Sequence, residues 1–216
     1  MAPPNKGNIA LNELQKEVLG IDLSAHASPD WVDISENHEM LWNLLADANG
    51  FALFGGALII FPTIKSMSPW HTIEDFAYSM VELEFLQDKE LLPFATDLFG
   101  FLYFVASDGI YHMETEDAKL EFVSSDINGF LLKLAEDGDY WSGQSLLEAW
   151  EQENGALNDG ERLVAKNPFI FGGEFEIANL YPQTFDKILP WYASLNQQLK
   201  DVEDGTVIQL SMPESE

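Results

Sequence analysis

Cysteine is absent from this chain of 216 residues, and basic residues are scarce: 10 Lys and Arg face 37 Asp and Glu. Without cysteine there is no disulfide framework and no thiolate nucleophile, and a zinc ion would have only histidine and carboxylate ligands. Each phosphate contact needs a lysine or arginine, and Arg162 is the single arginine. The sequence therefore argues against nucleic acid and against an anionic membrane surface as partners.

Long apolar runs are missing as well. The longest one, residues 50–62, is shorter than the roughly 20 residues that a transmembrane helix requires. The first residues, Met1 to Lys6, lead into polar sequence instead of the apolar segment of a secretion signal. We therefore expect a cytoplasmic protein that does not enter a membrane.

Motifs for catalysis are equally scarce. The sequence has no Gly-x-Ser-x-Gly elbow and no phosphate-binding Walker loop. His112-x-Glu114 matches part of the zinc-deaminase pattern, but the cysteine pair of that pattern is absent. Four histidines, at positions 26, 38, 71 and 112, share no metal-binding spacing. We expect a protein that is not an enzyme, with no catalytic residue, metal or cofactor.

What the chain does have is a large apolar fraction together with a formal net charge of −27. Hydrophobic residues make up 46% of the chain and aromatic residues 12%, which is enough for a core under a strongly negative surface. A surface of this sign attracts basic partners over long range and repels polyanions. The same carboxylates also confer solubility, so charge alone leaves both interpretations open.

Periodicity predicts a single α+β domain with a mainly antiparallel (mixed) sheet packed against helices. Helical patterns cover 36–49, 72–83, 127–134, 146–154 and 185–199, the last interrupted at Pro190. Strand patterns cover 51–61 as two short runs around Gly55-Gly56, then 92–95, 101–105, 110–113, 120–123, 163–181 with a turn inside, and 206–210. Short connections between the middle strands predict an antiparallel meander.

The ends of the chain differ from this pattern. Residues 1–34 are predicted to be an N-terminal extension with a short helix over 12–19, and Trp31, Val32 and Ile34 are suited to pack it onto the domain. Within the domain, Ser124 and Ser125 are the expected N-terminal caps of the helix predicted over 127–134. The domain itself is expected to cover residues 35–211, and residues 212–216 form an acidic tail.

Glu174 and Glu176 flank Phe175 at a spacing that places both carboxylates on one face of a strand, roughly 6–7 Å apart at the backbone. Such a pair is compatible with acid and base roles in a glycosidase-like cleft. The alternative is two solvated carboxylates on the open face of a sheet, which is the commoner arrangement.

A second acidic group is the better candidate for a site. Carboxylates follow the predicted hairpins and continue beside a Tyr-Trp pair, and charged rims next to Tyr and Trp are typical of binding surfaces. A solvated rim beside a core-packed tryptophan remains the alternative for any one of them. The predicted partner-binding residues are Asp108, Glu114, Glu116, Asp117, Glu121, Glu136, Asp137, Asp139, Tyr140 and Trp141.

Several segments together resemble the SUKH superfamily, which includes fungal cell-wall regulators and many bacterial immunity proteins. The resemblance is carried by Gly50–Gly55, by Leu92–Ala95 with Asp97 and Gly100, and by the Ser-Ser-Asp-Ile start of a helix. Residues 167–182 and 204–208 are similar to a subset linked to type VI secretion toxins. The likeness covers about residues 35–211, and its motifs concern the fold more than function.

This resemblance implies an immunity protein that binds a cognate, basic secreted toxin in the cytoplasm and occludes its active site; the toxin would be a nuclease or another type VI secretion effector. The alternative is a regulatory protein-interaction module like the fungal relatives. A third interpretation, an acidic hydrolase, depends on Glu174 and Glu176. The oligomeric state is left open by the sequence.

Overall fold

The computed structural model describes residues 16–18, 35–47, 49–63, 72–73, 91–199 and 202. Its main feature is a seven-stranded sheet in which the strand order follows the chain and every neighbouring pair is antiparallel. The strands are β1 (Lys16–Val18), β2 (Phe51–Leu53), β3 (Leu58–Ile60), β4 (Leu92–Thr96), β5 (Leu102–Ala106), β6 (Gly109–Glu114) and β7 (Lys119–Ser124). The predicted meander is thus confirmed.

The edge strand β1 corrects the helix predicted over residues 12–19. The backbone of Lys16–Val18 pairs antiparallel with Phe51–Leu53. Three residues gain little from helix propensity, whereas an open sheet edge offers a row of unpaired N–H and C=O groups, so strand pairing outweighs the local preference. A segment that the sequence assigned to the extension therefore belongs to the sheet.

Strands β2 to β5 are buried at every position, which explains why they appear in the sequence as continuous apolar runs without alternation. The first helix, α1 (Glu36–Asp47), packs against β5. Its buried Asn37 fixes the contact, because the side-chain amide donates to the carbonyls of Ala106 and Ser125 at 3.1 Å each. One polar group thus joins three segments that are distant in sequence.

Within residues 125–199, four further helices follow the sheet: α2 (Ile127–Glu136), α3 (Gly138–Ser142), α4 (Gln144–Asn154) and α5 (Phe185–Leu199). The cap of α2 is Asp126, whose Oδ1 accepts from the Gly129 amide at 2.7 Å, and not Ser124 or Ser125 as predicted. Ser124 Oγ instead donates to the Asp126 carbonyl. The five-residue helix α3 is too short to leave a periodic signal and was not predicted.

A smaller antiparallel sheet of β8 (Glu161–Ala165) and β9 (Leu180–Thr184) packs with α4 around a second apolar cluster that includes Leu98, Phe99 and Trp150. The predicted strand-turn-strand over 163–181 is confirmed in outline. Short 3₁₀ turns occupy Phe169–Phe171 and Ile177–Asn179 between the two strands. The result is a single α+β domain, as the sequence predicted.

Some predictions lie outside the described residues. These are the helix beyond Ile73, the strand over 206–210, the packing of Trp31, Val32 and Ile34, and the acidic tail.

Candidate functional site

The turn between β4 and β5 is organised by a buried aspartate. Asp97 Oδ1 accepts from the amides of Phe99 and Phe101 at 2.9 Å each, and the Asp97 amide donates to the Phe101 carbonyl. Gly100 closes the turn with φ +79°, a conformation that L-residues with side chains rarely adopt. Asp97 is thereby held at the end of the sheet with its second carboxylate oxygen left for other contacts.

A row of polar and aromatic side chains crosses the neighbouring strands. Tyr103 on β5 pairs with His112 on β6, and His112 pairs with Glu121 on β7. Directly paired residues share one face of a sheet. The rings of Tyr103 and His112 lie 4.6 Å apart between centroids, so the fully buried Tyr103 supports His112, which lines the site together with Glu121 on the edge strand.

Helix α3 lies against this row. Asp137 caps it by accepting from the Tyr140 amide, and the Tyr103 hydroxyl donates to the Trp141 carbonyl at 2.6 Å. The Leu98 amide donates to the Ser142 carbonyl, which ties the helix to the Asp97 turn. These bonds position Tyr140 and Trp141 beside the sheet, with the Trp141 ring edge-to-face on His112.

The loop between β8 and β9 closes the other side. The rings of Phe169 and Phe175 stack 3.9 Å apart and are nearly parallel, at 7°. Phe175 also contacts Phe99 of the Asp97 turn, with centroids 5.2 Å apart. The loop is held from below by Glu116, whose Oε2 accepts from the Ile170 amide at 2.9 Å.

These four parts enclose an open cleft of about 550 Å³. Its wall contains four carboxylates (Asp97, Glu114, Glu121, Asp139), six rings (Phe99, Phe101, His112, Tyr140, Trp141, Phe175), and Gly143, Ser145 and Leu146. Among the described residues, no lysine or arginine lines it. A cleft of this volume, apolar in its walls with a few convergent polar groups, has the size and character of a ligand-binding site.

The wall of the cleft carries an excess of acidic side chains. Four carboxylates share one concave surface, where low-dielectric walls strengthen their mutual repulsion. Burial raises the pKa of Glu114, and neighbouring Asp117 raises it further. Tyr140 is 68% exposed and Phe175 56% exposed, so two of the rings present their faces or edges to solvent.

Asp97 and His112 meet at the base of the cleft, where Asp97 Oδ2 lies 3.7 Å from His112 Nε2. This distance is too long for a hydrogen bond, and the contact is an ion pair only when the imidazole is protonated. Among the described residues, Nε2 makes no hydrogen bond, although its atom is buried. The base of the cleft therefore holds a polar group whose hydrogen-bonding capacity is not used.

Half of the ten residues predicted from the sequence meet in this cleft: Glu114, Glu121, Asp139, Tyr140 and Trp141. Three of the other carboxylates make local hydrogen bonds. Asp108 accepts from the Tyr111 hydroxyl at 2.9 Å, Asp117 from the Lys119 amide at 2.9 Å, and Asp137 caps α3. Glu136 is exposed at the end of α2 and does not line the cleft.

Glu116 corrects the prediction most clearly. The sequence placed it in an outward turn position, but its side chain is 3% exposed. Burial raises the pKa of Glu116 to about 7, against the opposing effect of the hydrogen bonds from the Ile170 and Phe169 amides. The turn folds back under the β8–β9 loop, so this carboxyl supports the wall of the cleft from behind and is not a partner contact.

Glu174 and Glu176 are likewise not where the strand pattern placed them. Both are exposed in the loop before the 3₁₀ turn Ile177–Asn179, outside any described strand, and neither lines the cleft. Gly172 adopts φ +83° and Phe175 stacks on Phe169, so this segment forms a turn between β8 and β9 and does not continue as a strand. The same-face geometry that motivated a hydrolase is therefore absent from this segment.

The single arginine has a structural role in the fold. Arg162 on β8 is buried, and its Nη1 donates to the carbonyls of Gly56 and Glu161 at 3.1 and 3.3 Å. Burial lowers the pKa of Arg162 to about 9, while Asp97 acts in the opposite direction.

Within residues 35–47, 49–63, 72–73 and 91–199, no three His, Asp or Glu side chains converge in a way that would hold a metal ion. None of the helices in the part of the chain that the structure covers combines the length and apolar character needed to cross a bilayer.

Sequence reasoning missed Asp97, Phe99, Phe101, His112 and Phe175 as members of the site, together with Gly143, Ser145 and Leu146. The Asp97-x-x-Gly100 spacing carried a turn signal, since an aspartate that accepts backbone amides ahead of a glycine is typical of a tight turn. Nothing local connects that turn to Tyr140 or Phe175, because the three segments meet only through tertiary packing.

Comparisons with known proteins support the fold alone. The crystal structure of Atu4351 from Agrobacterium tumefaciens is similar over 72% of this chain and 74% of that one, with a TM-score of 0.53 and 14% sequence identity. No protein-family model matches the chain. No curated protein matches it either.

Proposed function

We propose that this protein is a cytoplasmic immunity protein that binds a cognate, basic protein toxin and blocks its active site without any catalytic step of its own. The observation that carries the proposal is the cleft, in which four carboxylates and exposed aromatic rings converge with no described lysine or arginine among them. Such a surface complements a cationic protein and disfavours phosphate-bearing ligands.

The surroundings of the cleft suit a protein partner. A stable interface usually buries about 800 Å² on each side, more than one cleft supplies. The β8–β9 loop extends the surface with Ile170, Phe171 and Phe175, which are 42%, 37% and 56% exposed. Exposed apolar side chains grouped beside charged ones are typical of interfaces. Tyr140 lies across the cleft as a further aromatic anchor.

The charge of the whole chain raises the rate of association with a basic partner. A formal net charge of −27 attracts a basic partner before contact, and steered association reaches about 10⁸–10⁹ M⁻¹s⁻¹ at low salt. Rapid capture is what neutralising an incoming toxin demands. The resemblance of residues 35–211 to SUKH immunity proteins and to the type VI secretion subset belongs to this proposal.

The test is protection in living cells. The protein encoded by the adjoining reading frame is expressed in a bacterial host with and without this chain, and survival is counted. We expect toxicity that co-expression abolishes, and a complex of the two purified proteins that weakens as salt is raised. Absence of both protection and binding would reject the proposal.

A matched pair of variants tests the cleft in the same assay. Glu121→Gln with Asp139→Asn removes two carboxylates from the cleft, whereas Glu153→Gln with Asp159→Asn removes two exposed carboxylates elsewhere. Both change the net charge equally. Loss of protection confined to the first pair assigns the docking surface to the cleft. A stable complex with a housekeeping protein, combined with no protection, would favour the regulatory module instead.

A further inference from the structure

The cleft is larger and more selective in its chemistry than a general acidic surface requires. Its carboxylates lie within aromatic walls, and its base contains the unused Nε2 of His112. Long-range electrostatic attraction of a basic partner needs none of these features, because it acts before the two surfaces touch. A built cleft instead indicates one definite group that enters it.

The chemistry of the wall selects the type of group. An anion would meet Asp97, Glu114, Glu121 and Asp139. An uncharged apolar group would desolvate these carboxylates, and the backbone amides that bond Asp97 and Asp139 compensate for this only in part. A cation satisfies both the carboxylates and the ring faces, because aromatic rings attract cations through their quadrupole. The molecule already contains one example, since Lys133 Nζ lies 5.7 Å from the centroid of the Trp141 ring.

Two cationic side chains are available to a protein partner, and the wall favours arginine. A guanidinium is planar, stacks on aromatic faces, is weakly hydrated, and presents several donors to carboxylates at once. An ammonium is compact and strongly hydrated, so it loses more by entering a cleft with mainly apolar walls. Arginine is also enriched among the residues that dominate interface energies.

We propose that the cleft binds the side chain of one arginine of the protein partner, with its guanidinium held by the carboxylates of Glu121 and Asp139 and packed against the ring of Tyr140. This inference rests on the proposed function for its occupant, the toxin. The cleft has a total volume of about 550 Å³, so it has room for the arginine side chain together with residues that flank it in the partner chain.

The test uses the full chain and small probes, so that it does not depend on the toxin. Three capped tripeptides, acetyl-Gly-X-Gly-amide with X as arginine, lysine or citrulline, are titrated into ¹⁵N-labelled protein. The amide resonances of 139–143 and the Trp141 indole N–H report binding. Citrulline has the shape of arginine without its charge, which makes it the matched control.

We expect the arginine peptide to shift these resonances saturably, with binding in the millimolar range, about 4 kcal/mol for a single side chain. The citrulline peptide should bind about tenfold more weakly, and the lysine peptide several-fold more weakly. Glu121→Gln with Asp139→Asn, and separately Tyr140→Ala, should weaken arginine binding at least about fivefold. Glu153→Gln with Asp159→Asn should leave it unchanged.

Three results would overturn the inference: citrulline or lysine binding as tightly as arginine, no saturable shift with the arginine peptide, or an equal loss of binding in the control pair. Tyr140 is 68% exposed, so its replacement is not expected to unfold the chain. If the peptides fail while the toxin complex forms and depends on Glu121 and Asp139, the arginine inference falls and the immunity function stands. If the arginine peptide binds but no toxin is neutralised, the immunity function falls and the inference that the cleft binds an arginine side chain stands.

Discussion

The hydroxyl of Tyr103 donates a 2.6 Å hydrogen bond to the carbonyl of Trp141, and this bond joins strand β5 to the short helix α3. Tyr103 is fully buried, and burial raises the pKa of its hydroxyl well above the usual value, with Asp97 as a further contributor. The hydroxyl therefore stays protonated and remains a donor. The aromatic wall of the cleft depends on where this bond places α3.

Replacing Tyr103 with phenylalanine tests that bond. The Trp141 carbonyl loses its donor, and we expect the free energy of unfolding to fall by about 1–2 kcal/mol. Urea denaturation measures the change. Tyr111→Phe is the matched control, because the Tyr111 hydroxyl bonds Asp108 at an exposed site and its loss should stay within about 0.5 kcal/mol. Equal effects of the two variants would contradict this role for Tyr103.

The Asp97 turn gives a second prediction. In Asp97→Ala the amides of Phe99 and Phe101 lose a shared charged acceptor, and we expect a cost of about 2–3 kcal/mol. Asp97→Asn keeps a carbonyl oxygen and should recover a large part of that loss. Asp108→Ala, at the exposed β5–β6 turn, serves as control in the same denaturation series. If Asp97→Asn is as unstable as Asp97→Ala, the negative charge of Asp97, and not the position of its acceptor oxygen, is what stabilises the turn.

Glu116 predicts a pH dependence of stability. Burial raises the pKa of Glu116 to about 7 from an ordinary value of 4.5, with Glu114 and Asp117 adding to the rise. The folded state thus binds the proton more tightly than the unfolded state, so this contribution to stability is full below pH 4.5 and is lost as pH rises through about 7. Glu116→Gln keeps the acceptor for the Ile170 amide without a titrating proton.

We expect the stability of Glu116→Gln relative to the wild type to increase from pH 4.5 to pH 8 by on the order of 1–3 kcal/mol. Thermal or urea unfolding of both proteins across that range gives the difference. Glu153→Gln, an exposed control, should show no such trend. A constant difference between Glu116→Gln and the wild type would contradict the buried acidic group.

Two adjacent glycines provide a fourth prediction. A Cβ at Gly173 would collide with the backbone carbonyl of Asn167, which has little freedom to move, whereas a Cβ at Gly172 meets open space. Gly172 has φ +83°, so Gly172→Ala should cost only about 1 kcal/mol of strain. Gly173→Ala should cost about 2–4 kcal/mol and displace Phe175 from Phe169. A crystal structure or the ring resonances of Phe175 would report the displacement, and an undisturbed loop would contradict it.

The site was only partly predictable. Tyr140, Trp141, Asp139, Glu114 and Glu121 were identified because acidic residues beside large aromatics have a recognisable composition. Glu116 belongs to the same acidic run but is buried, since the β8–β9 loop, 54 positions further along the chain, covers it. A charged residue in a turn is usually solvated, and only the packing of a distant loop reverses that expectation.

The meander of the middle strands, the apolar runs of the core and the negative sign of the surface were determined by the sequence alone, whereas the pairing of Lys16–Val18 at the sheet edge was not. Alternation, apolar runs and turn residues act over a few positions, so they can be recognised without knowing what packs where. The cleft was decided by the tertiary structure. Its walls come from the Asp97 turn, β6 and β7, α3 and the β8–β9 loop, which meet through contacts such as Tyr103 with Trp141, 38 positions apart. Local patterns do not encode which distant segments become neighbours, because that depends on the packing of the whole core.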